Sequence, residues 1–161
     1  MPDTPLSLSE RLLNEGKTAV LFFQRIKPEQ WDILVYSEGA PWKLRQVLAH
    51  FVASETSMSK LVTNIASGGP GSPEDFNIDA FNARKVSSLQ DTPVEELIQR
   101  FENFRESTAL QVSRLTDADL LKTGRHPFLG IAPLVDIIKL IYRHNLIHIR
   151  DMRRVLGVKS E

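Results

Sequence analysis

The chain has 161 residues, 42% of them hydrophobic, which suits one domain over residues 1–161 with an apolar core of its own. Its 20 Lys and Arg residues balance its 20 Asp and Glu residues, so no net charge attracts it to nucleic acid or to an acidic membrane surface. The absence of cysteine excludes disulfides, thiolate metal ligands and a cysteine nucleophile, and it fits the reducing cytoplasm in which we expect the protein.

The N-terminal part of the chain predicts a helix rather than a targeting signal. Residues 1–10 lack the basic patch and apolar run of a signal peptide, and no later apolar run approaches the roughly 20 residues that span a bilayer. We therefore expect no membrane segment. A first helix is predicted from about Ser7 to Ile26, because Ser7 and Glu10 have capping-box spacing and Pro28 ends the helix.

The next part of the sequence predicts one long helix and one long connection. The second helix is predicted over about Pro41 to Ala66, and the glycines of residues 68–71 end it. Strand signals are weak, and the segment from Trp31 to Tyr36 is the one plausible strand. The connection from Ser67 to Asp91 is long for a bundle, and a short helix is predicted within it around Asp79 to Val86.

Two further helices complete the pattern. The third is predicted to open with Thr92 as N-cap, Pro93 at the first position and Glu95 closing a capping box. The fourth is predicted from near Pro133 to Gly157, a C-cap. The apolar stripe of the third helix comprises Val94, Leu97, Ile98, Phe101, Phe104, Thr108, Val112 and Leu115. Amphipathic helices of this kind bury their stripes by packing together, so we predict an all-α four-helix bundle.

Three of the four histidines indicate a metal site. His144 and His148 lie four residues apart within the apolar stripe of the fourth helix, so both imidazoles are expected to point into the bundle. Buried imidazoles need polar partners, and a shared metal ion supplies one for each. His50 lies at the edge of the stripe of the second helix, and helix axes about 8–10 Å apart let it reach the same ion.

The ligand set also indicates the kind of metal chemistry. Three imidazoles with an open position are typical of a catalytic zinc site. We expect zinc, although nickel, iron and manganese also accept nitrogen ligands and the sequence does not choose among them. A zincin has glutamate directly after its first histidine, but Asn145 stands there, so a metalloprotease is disfavoured. Histidine pairs at this spacing also arise by chance, so the third histidine strengthens the prediction.

Two more residues are candidates for roles at this site. His126, in a glycine-rich loop from Gly124 to Gly130, is either a proton shuttle at the mouth of the site or an ordinary loop residue. Asp151 follows His148 by three residues, and we prefer it to Glu55 as the carboxylate that orients an imidazole. A solvated salt bridge at the helix edge is the alternative for Asp151.

The end of the fourth helix is basic, with Arg143, Arg150, Arg153 and Arg154. Cations near a helix C-terminus interact favourably with the helix dipole, and this explanation suffices. The alternative is a site for the carboxylates of a thiol cofactor.

Three segments carry a resemblance to a known family. Residues 42–51 (WKLRQVLAHF), 75–84 (DFNIDAFNAR) and 142–151 (YRHNLIHIRD) resemble the DinB-like superfamily. That superfamily includes the N-terminal domains of mycothiol-dependent maleylpyruvate isomerases and the bacillithiol transferases. The resemblance implies an up-down-down-up four-helix bundle with one metal ion held by the same three histidines. It also implies a homodimer.

The resemblance further implies a reaction class. We expect transfer of a low-molecular-weight thiol to a small-molecule electrophile, or a related isomerisation or hydrolysis. Because the chain has no cysteine, the nucleophile must come from solvent or from a cosubstrate. The competing hypothesis is a non-catalytic stress-response protein whose histidines stabilise the bundle or bind a carboxylate-bearing small molecule. Neutral charge argues against DNA binding in either case.

Overall fold

Four long helices form the body of the molecule, and the computed structural model describes residues 2–39 and 41–158. The elements in chain order are α1 Pro5–Gln24, a 3-10 helix Pro28–Asp32, β1 Leu34–Tyr36, β2 Trp42–Lys43, α2 Leu44–Ala66, α3 Ile78–Ser88, α4 Val94–Ser113, α5 Asp117–Leu120, β3 Thr123–His126, β4 Gly130–Pro133 and α6 Leu134–Leu156. No helix in the described ranges is long and apolar enough to cross a membrane.

Side-chain contacts give the direction of each long helix. The contacts are Ser9–Ala109 and Phe23–Phe101 between α1 and α4, Ser59–Gln111 between α2 and α4, Arg45–Thr92 between α2 and the residues just before α4, and Arg11–Tyr142 and Phe22–Arg153 between α1 and α6. Helix α4 is therefore antiparallel to α1, α2 is parallel to α4, and α6 is parallel to α1. This is the up-down-down-up order, and the predicted four-helix bundle is confirmed.

A layer of polar side chains divides the core into two apolar clusters. One cluster contains Phe23, Leu48, Phe51, Leu97, Phe101, Ile149 and Met152, among others. The other contains Leu8, Leu12, Val62, Ile65, Val112, Leu134 and Ile137, among others. The residues between them, which we call the polar layer, are Glu55, Arg105, Thr108 and Asn145, and all four are buried.

Helix α1 begins two residues earlier than the sequence predicts. Its N-cap is Thr4, whose Oγ1 accepts the Ser7 backbone N–H at 3.1 Å, while the Thr4 N–H donates to Ser7 Oγ at 2.9 Å. Pro5 takes the first helical position, where a backbone N–H would lack a helical partner in any case. The predicted capping box of Ser7 with Glu10 is therefore wrong, because an earlier pair of hydroxyl side chains caps the helix.

The starts of α2 and α4 also differ from prediction. Helix α2 begins at Leu44 rather than Pro41, because Trp42 and Lys43 pair antiparallel with β1. Helix α4 begins at Val94, since Pro93 has extended backbone and occupies the N-cap position that was predicted for Thr92. The end of α6 is as predicted: Gly157 adopts φ 70°, a left-handed conformation that suits glycine and terminates the helix.

The segment from 124 to 130 is a hairpin, although the sequence predicts a loop. Strands β3 and β4 pair antiparallel, with His126 opposite Gly130. The hairpin packs closely on α2, since a Cβ on Gly124 would lie 2.5 Å from Ile65 Cγ1. The strands are too short to show the apolar alternation by which strands are recognised. The predicted short helix around Asp79 to Val86 is present as α3.

Candidate metal centre

The three histidines singled out from the sequence meet at one point. His50 is on α2, and His144 and His148 are one turn apart on α6. Helices α2 and α6 pack against each other and run antiparallel. His144 Nε2 lies 3.1 Å from His50 Nε2 and 3.0 Å from His148 Nε2, and one ligand atom from each ring lies within 4.8 Å of the other two. Ligands at ~2.1 Å from one ion in tetrahedral geometry lie about 3.4 Å apart, so the arrangement suits a single metal ion.

Hydrogen bonds among the imidazoles do not satisfy these three nitrogens. A neutral imidazole carries one N–H, and one N–H makes one linear hydrogen bond. His144 Nε2 has two Nε2 neighbours at about the same distance but carries either one N–H or one lone pair, so at most one of the two contacts is a linear hydrogen bond. A cation bound by the lone pairs of all three nitrogens gives each of them a partner. The donor chemistry therefore fits a metal ion.

The electrostatics of the site keep its imidazoles neutral. Burial, together with the neighbouring His144 and His148, lowers the pKa of His50 to about 2. Burial and the charge of His148 lower the pKa of His144 to about 4. The pKa of His148 is lowered by burial and raised in part by Asp151, with a net decrease. Neutral imidazoles offer lone pairs to a metal without first losing a proton.

One candidate ligand, His148, is held in a fixed orientation by a tyrosine that the sequence did not single out. Tyr36 Oη lies 2.7 Å from His148 Nδ1 and donates its own proton to Asp151 Oδ2, also at 2.7 Å. Because the tyrosine proton goes to Asp151, Tyr36 Oη accepts the Nδ1–H of His148, and the Nε2 of His148 is left with its lone pair facing the other histidines. Burial and Asp151 together raise the pKa of Tyr36, so it stays protonated.

The predicted carboxylate, Asp151, therefore reaches His148 only through the hydroxyl of Tyr36. Asp151 bonds Tyr36 rather than an imidazole, and its other oxygen accepts Arg154 Nη2 at 3.0 Å and lies 3.6 Å from Arg150 Nε. Arg153 lies over an aromatic ring of α1. These contacts give ordinary structural roles to three of the four arginines at the end of α6. Arg143 is exposed.

The alternative carboxylate, Glu55, is not part of the centre. It is 2% exposed and forms an ion pair with Arg105 inside the polar layer, with Arg105 Nη2 2.5 Å from Glu55 Oε1. It is the fifth residue after His50, so it points to a different side of α2. Glu55 is therefore not the carboxylate that orients an imidazole.

Aromatic and hydroxyl side chains surround His50. The ring of Trp42 lies 5.0 Å from the ring of His50, centroid to centroid. Phe51 packs against the rings of His144 and His148. Ser54 Oγ lies 3.4 Å from His50 Nδ1, the nitrogen that faces away from the other two histidines. These contacts limit the rotation of each ring and keep much of the centre out of water.

His126 is not in a loop but at the end of β3, where it is buried. Its Nδ1 accepts the backbone N–H groups of Phe128 at 2.9 Å and Leu129 at 3.1 Å, so the ring proton is on Nε2. Burial lowers its pKa. His126 is also near the triad of His50, His144 and His148, since a charge on it would lower the pKa of His144.

A cleft of about 660 Å³ runs beside the centre between α2, α3 and the hairpin. Ala53, Ser57, Phe81, Phe104 and His126 are among the residues that line it. Ala53 and Ser57 follow His50 by three and seven residues, so they lie on the same face of α2. None of the three histidines lines the cleft itself, so the cleft adjoins the candidate metal centre along this face of α2 and through His126.

Comparison with known proteins decides the family. The family model described as the DinB superfamily matches residues 9–152. The chain belongs to the DinB superfamily. Among curated proteins, no sequence matches it.

Three solved structures share the fold of this chain. YfiT from Bacillus subtilis, described as a probable metal-dependent hydrolase with an unusual four-helix bundle topology, is 19% identical over 96% of this chain and 87% of its own, with a TM-score of 0.68. A protein from Escherichia coli UTI89 is 13% identical over 99% of this chain and 98% of its own, with a TM-score of 0.70. A mycothiol-dependent maleylpyruvate isomerase is 11% identical over 92% of this chain but only 59% of its own length, with a TM-score of 0.72. At these identities the likeness establishes the fold.

Proposed function

We propose that this DinB-superfamily protein is a metal-dependent enzyme in which His50, His144 and His148 hold one divalent cation. The observation that carries the proposal is the convergence of three neutral Nε2 atoms that cannot satisfy one another by hydrogen bonds. A cation held by three imidazoles would lower the pKa of a bound water towards about 7 or deprotonate a bound thiol. The description of YfiT as a probable metal-dependent hydrolase supports the same reading.

The reaction we propose is attack of a thiol or of water on a small electrophile. No cysteine is present, so the nucleophile has to enter from solvent or as a low-molecular-weight thiol. The mycothiol-dependent isomerase, which shares the fold, supports the thiol alternative. Zinc as the metal, a thiol as the cosubstrate and a homodimer as the assembly rest on ligand chemistry and on the family resemblance.

Three of the chain's own side chains have proposed roles in proton handling and orientation. His126 presents Nε2 as its proton-bearing nitrogen, because two backbone N–H groups occupy Nδ1, and it lines the cleft beside the centre. It would donate a proton to, or accept one from, a group bound in the cleft. Asp151 and Tyr36 hold the ring of His148 in the tautomer that leaves Nε2 free.

The lining of the cleft favours a substrate that carries an anionic group. The charged residues that line it within the described ranges are Lys60, Lys85 and Arg100, all cations, of which Arg100 is paired with Glu96. Aromatic side chains, among them Phe81 and Phe104, supply an apolar wall. An electrophile with an apolar body and a carboxylate matches both features.

The test measures consumption of the thiol and of the electrophile by the zinc-loaded protein. Monobromobimane and a set of carboxylated and neutral electrophiles are offered with each common bacterial thiol, and the same electrophiles are offered with water alone. We expect turnover by wild type, loss of it in His50→Ala, and preference for carboxylated electrophiles. If no pair is turned over and the triad variants lose only thermal stability, the non-catalytic hypothesis is correct instead.

A further inference from the structure

The polar layer crosses the bundle at the level of the histidine triad. A single side chain, Arg105 on α4, reaches the other three long helices. It donates from Nε to Glu55 Oε1 on α2 at 3.0 Å, from Nη1 to the backbone oxygen of Leu12 on α1 at 3.2 Å, and from Nη2 to Asn145 Oδ1 on α6. Thr108 adds a bond to the second oxygen of Glu55 at 3.3 Å.

Helix α1 has room for this side chain at Gly16. Arg105 is 2% exposed, and a Cβ on Gly16 of α1 would lie 2.6 Å from Arg105 Cγ. On α2, α4 and α6 the residues of the layer fall between the two apolar clusters, as Arg105 does between Phe101 and Val112. The layer is therefore one plane of the bundle, fixed by hydrogen bonds from four helices.

Polar and apolar contacts restrict helix position differently. Apolar side chains can repack after a shift along the helix axis, but a buried guanidinium that loses its partners is left with an unpaired charge. A shift of α6 by one helical turn moves it about 5.4 Å, which would take Asn145 away from Arg105. The same shift would separate the ligands of α6 from His50, because Asn145 directly follows His144 and precedes His148 by three residues.

We propose that Glu55, Arg105 and Asn145 are positioning residues: they fix the axial register of α6 against α2, so that His144 and His148 meet His50. The inference rests on the proposed metal site, but register itself can be measured without metal. A role in setting register also explains why a charged network occupies a position where apolar side chains would give a simpler core. Buried polar groups that set register are well attested in helical assemblies.

The test replaces the network by apolar volume and reads three properties. One protein carries Glu55→Leu, Arg105→Met and Asn145→Leu together, a second carries Asn145→Ala alone, and a matched control carries Thr108→Val. Thr108 contacts Glu55 from α4 and leaves the α6 link intact. The readouts are thermal unfolding without metal, the affinity and visible spectrum of bound Co²⁺, and the distance between spin labels. The labels are attached at Lys60→Cys and Ile147→Cys, and the absence of native cysteine makes this labelling specific.

We expect the triple variant to fold with thermal stability near that of wild type. Its label distances should spread over a wider range, and it should bind Co²⁺ at least tenfold more weakly with an altered spectrum. Asn145→Ala should change distances and affinity in the same direction, whereas Thr108→Val should stay within twofold of wild type. A folded triple variant with the wild-type distance distribution and Co²⁺ affinity would overturn the proposal.

Two other results also separate the hypotheses. If the triple variant does not fold, Asn145→Ala decides in the same way. If wild type binds no Co²⁺, the proposed function fails, while the label distances in metal-free protein still show whether the layer sets register.

Discussion

Tyr36 Oη stands between His148 and Asp151, 2.7 Å from the Nδ1 of one and 2.7 Å from the Oδ2 of the other. The tyrosine comes from β1, whereas both partners are on α6. A short strand at one end of the bundle therefore fixes the tautomer of a candidate metal ligand in its last helix.

Replacement of Tyr36 by Phe should weaken metal binding without unfolding the protein. The phenyl ring keeps the packing but leaves the Nδ1–H of His148 without its acceptor, and loss of such outer partners typically costs 10–100-fold in metal affinity. Competition titration with Zn²⁺ measures the change. Tyr142→Phe is the matched control, because this buried tyrosine packs under Arg11 away from the triad. Equal affinities for the Tyr36→Phe and Tyr142→Phe proteins would contradict the orienting role.

Replacement of His126 by Asn should lower kcat while the metal content stays unchanged. The Asn oxygen can still accept the N–H groups of Phe128 and Leu129, but the side chain cannot shuttle a proton. Loss of general acid–base catalysis typically lowers the rate by about 10²–10⁴-fold. The thiol-consumption assay gives kcat, and elemental analysis gives the metal content. A kcat within twofold of wild type would leave His126 only a structural role in the hairpin.

The metal-free protein should lose stability as the pH falls below about 6.5. All four histidines of the chain have lowered pKa values in the folded state, chiefly because they are buried. Below pH 6.5 the unfolded chain therefore binds more protons than the folded one, and the free energy of unfolding decreases with falling pH. Each such histidine contributes a slope of up to about 1.4 kcal/mol per pH unit.

Thermal unfolding in EDTA between pH 8 and pH 4 measures this dependence. His126→Asn should have a shallower slope than wild type, since one of the four groups is gone. A midpoint that is flat between pH 7 and pH 5 would show that the histidines are hydrated in the folded protein.

Replacement of Gly16 by Ala should destabilise the bundle by about 1–3 kcal/mol, the usual cost of overpacking. The new methyl group would lie 2.6 Å from Arg105 Cγ, so the arginine and its partners must move. Denaturant unfolding measures the loss, with Lys17→Ala, at an exposed position one residue away, as the control. A Gly16→Ala protein as stable as the control would mean that Arg105 can shift without cost.

The convergence of the three histidines could be predicted from the sequence, but the side chains that hold their rings in place could not. His144 and His148 share a helix face by spacing alone, and His50 lies on a second apolar stripe, so helical periodicity predicts that they converge. Tyr36 is 112 residues away from His148 along the chain, and no local pattern links a strand residue to that helix face. Its role depends on how the strand packs on the bundle.

The polar layer shows a second limit of periodicity. The stripe predicted for α4 includes Phe104 and leaves out Arg105, yet Phe104 is 37% exposed and Arg105 is 2% exposed. A rule based on hydrophobicity assigns Arg105 to the surface, because the rule takes no account of the Glu55 carboxylate on α2 that pairs with this arginine. Buried charges of this kind become predictable only when both partners are known.

The most direct test of the central claim is elemental analysis of the purified protein after loading with Zn²⁺ and removal of the excess. Wild type and His126→Ala should each retain about one metal ion per chain, because the fourth histidine lies outside the triad. His50→Ala, His144→Ala and His148→Ala should retain little, while far-UV circular dichroism shows that each is still helical. Wild type without metal, or folded triad variants with a full complement of it, would contradict the account.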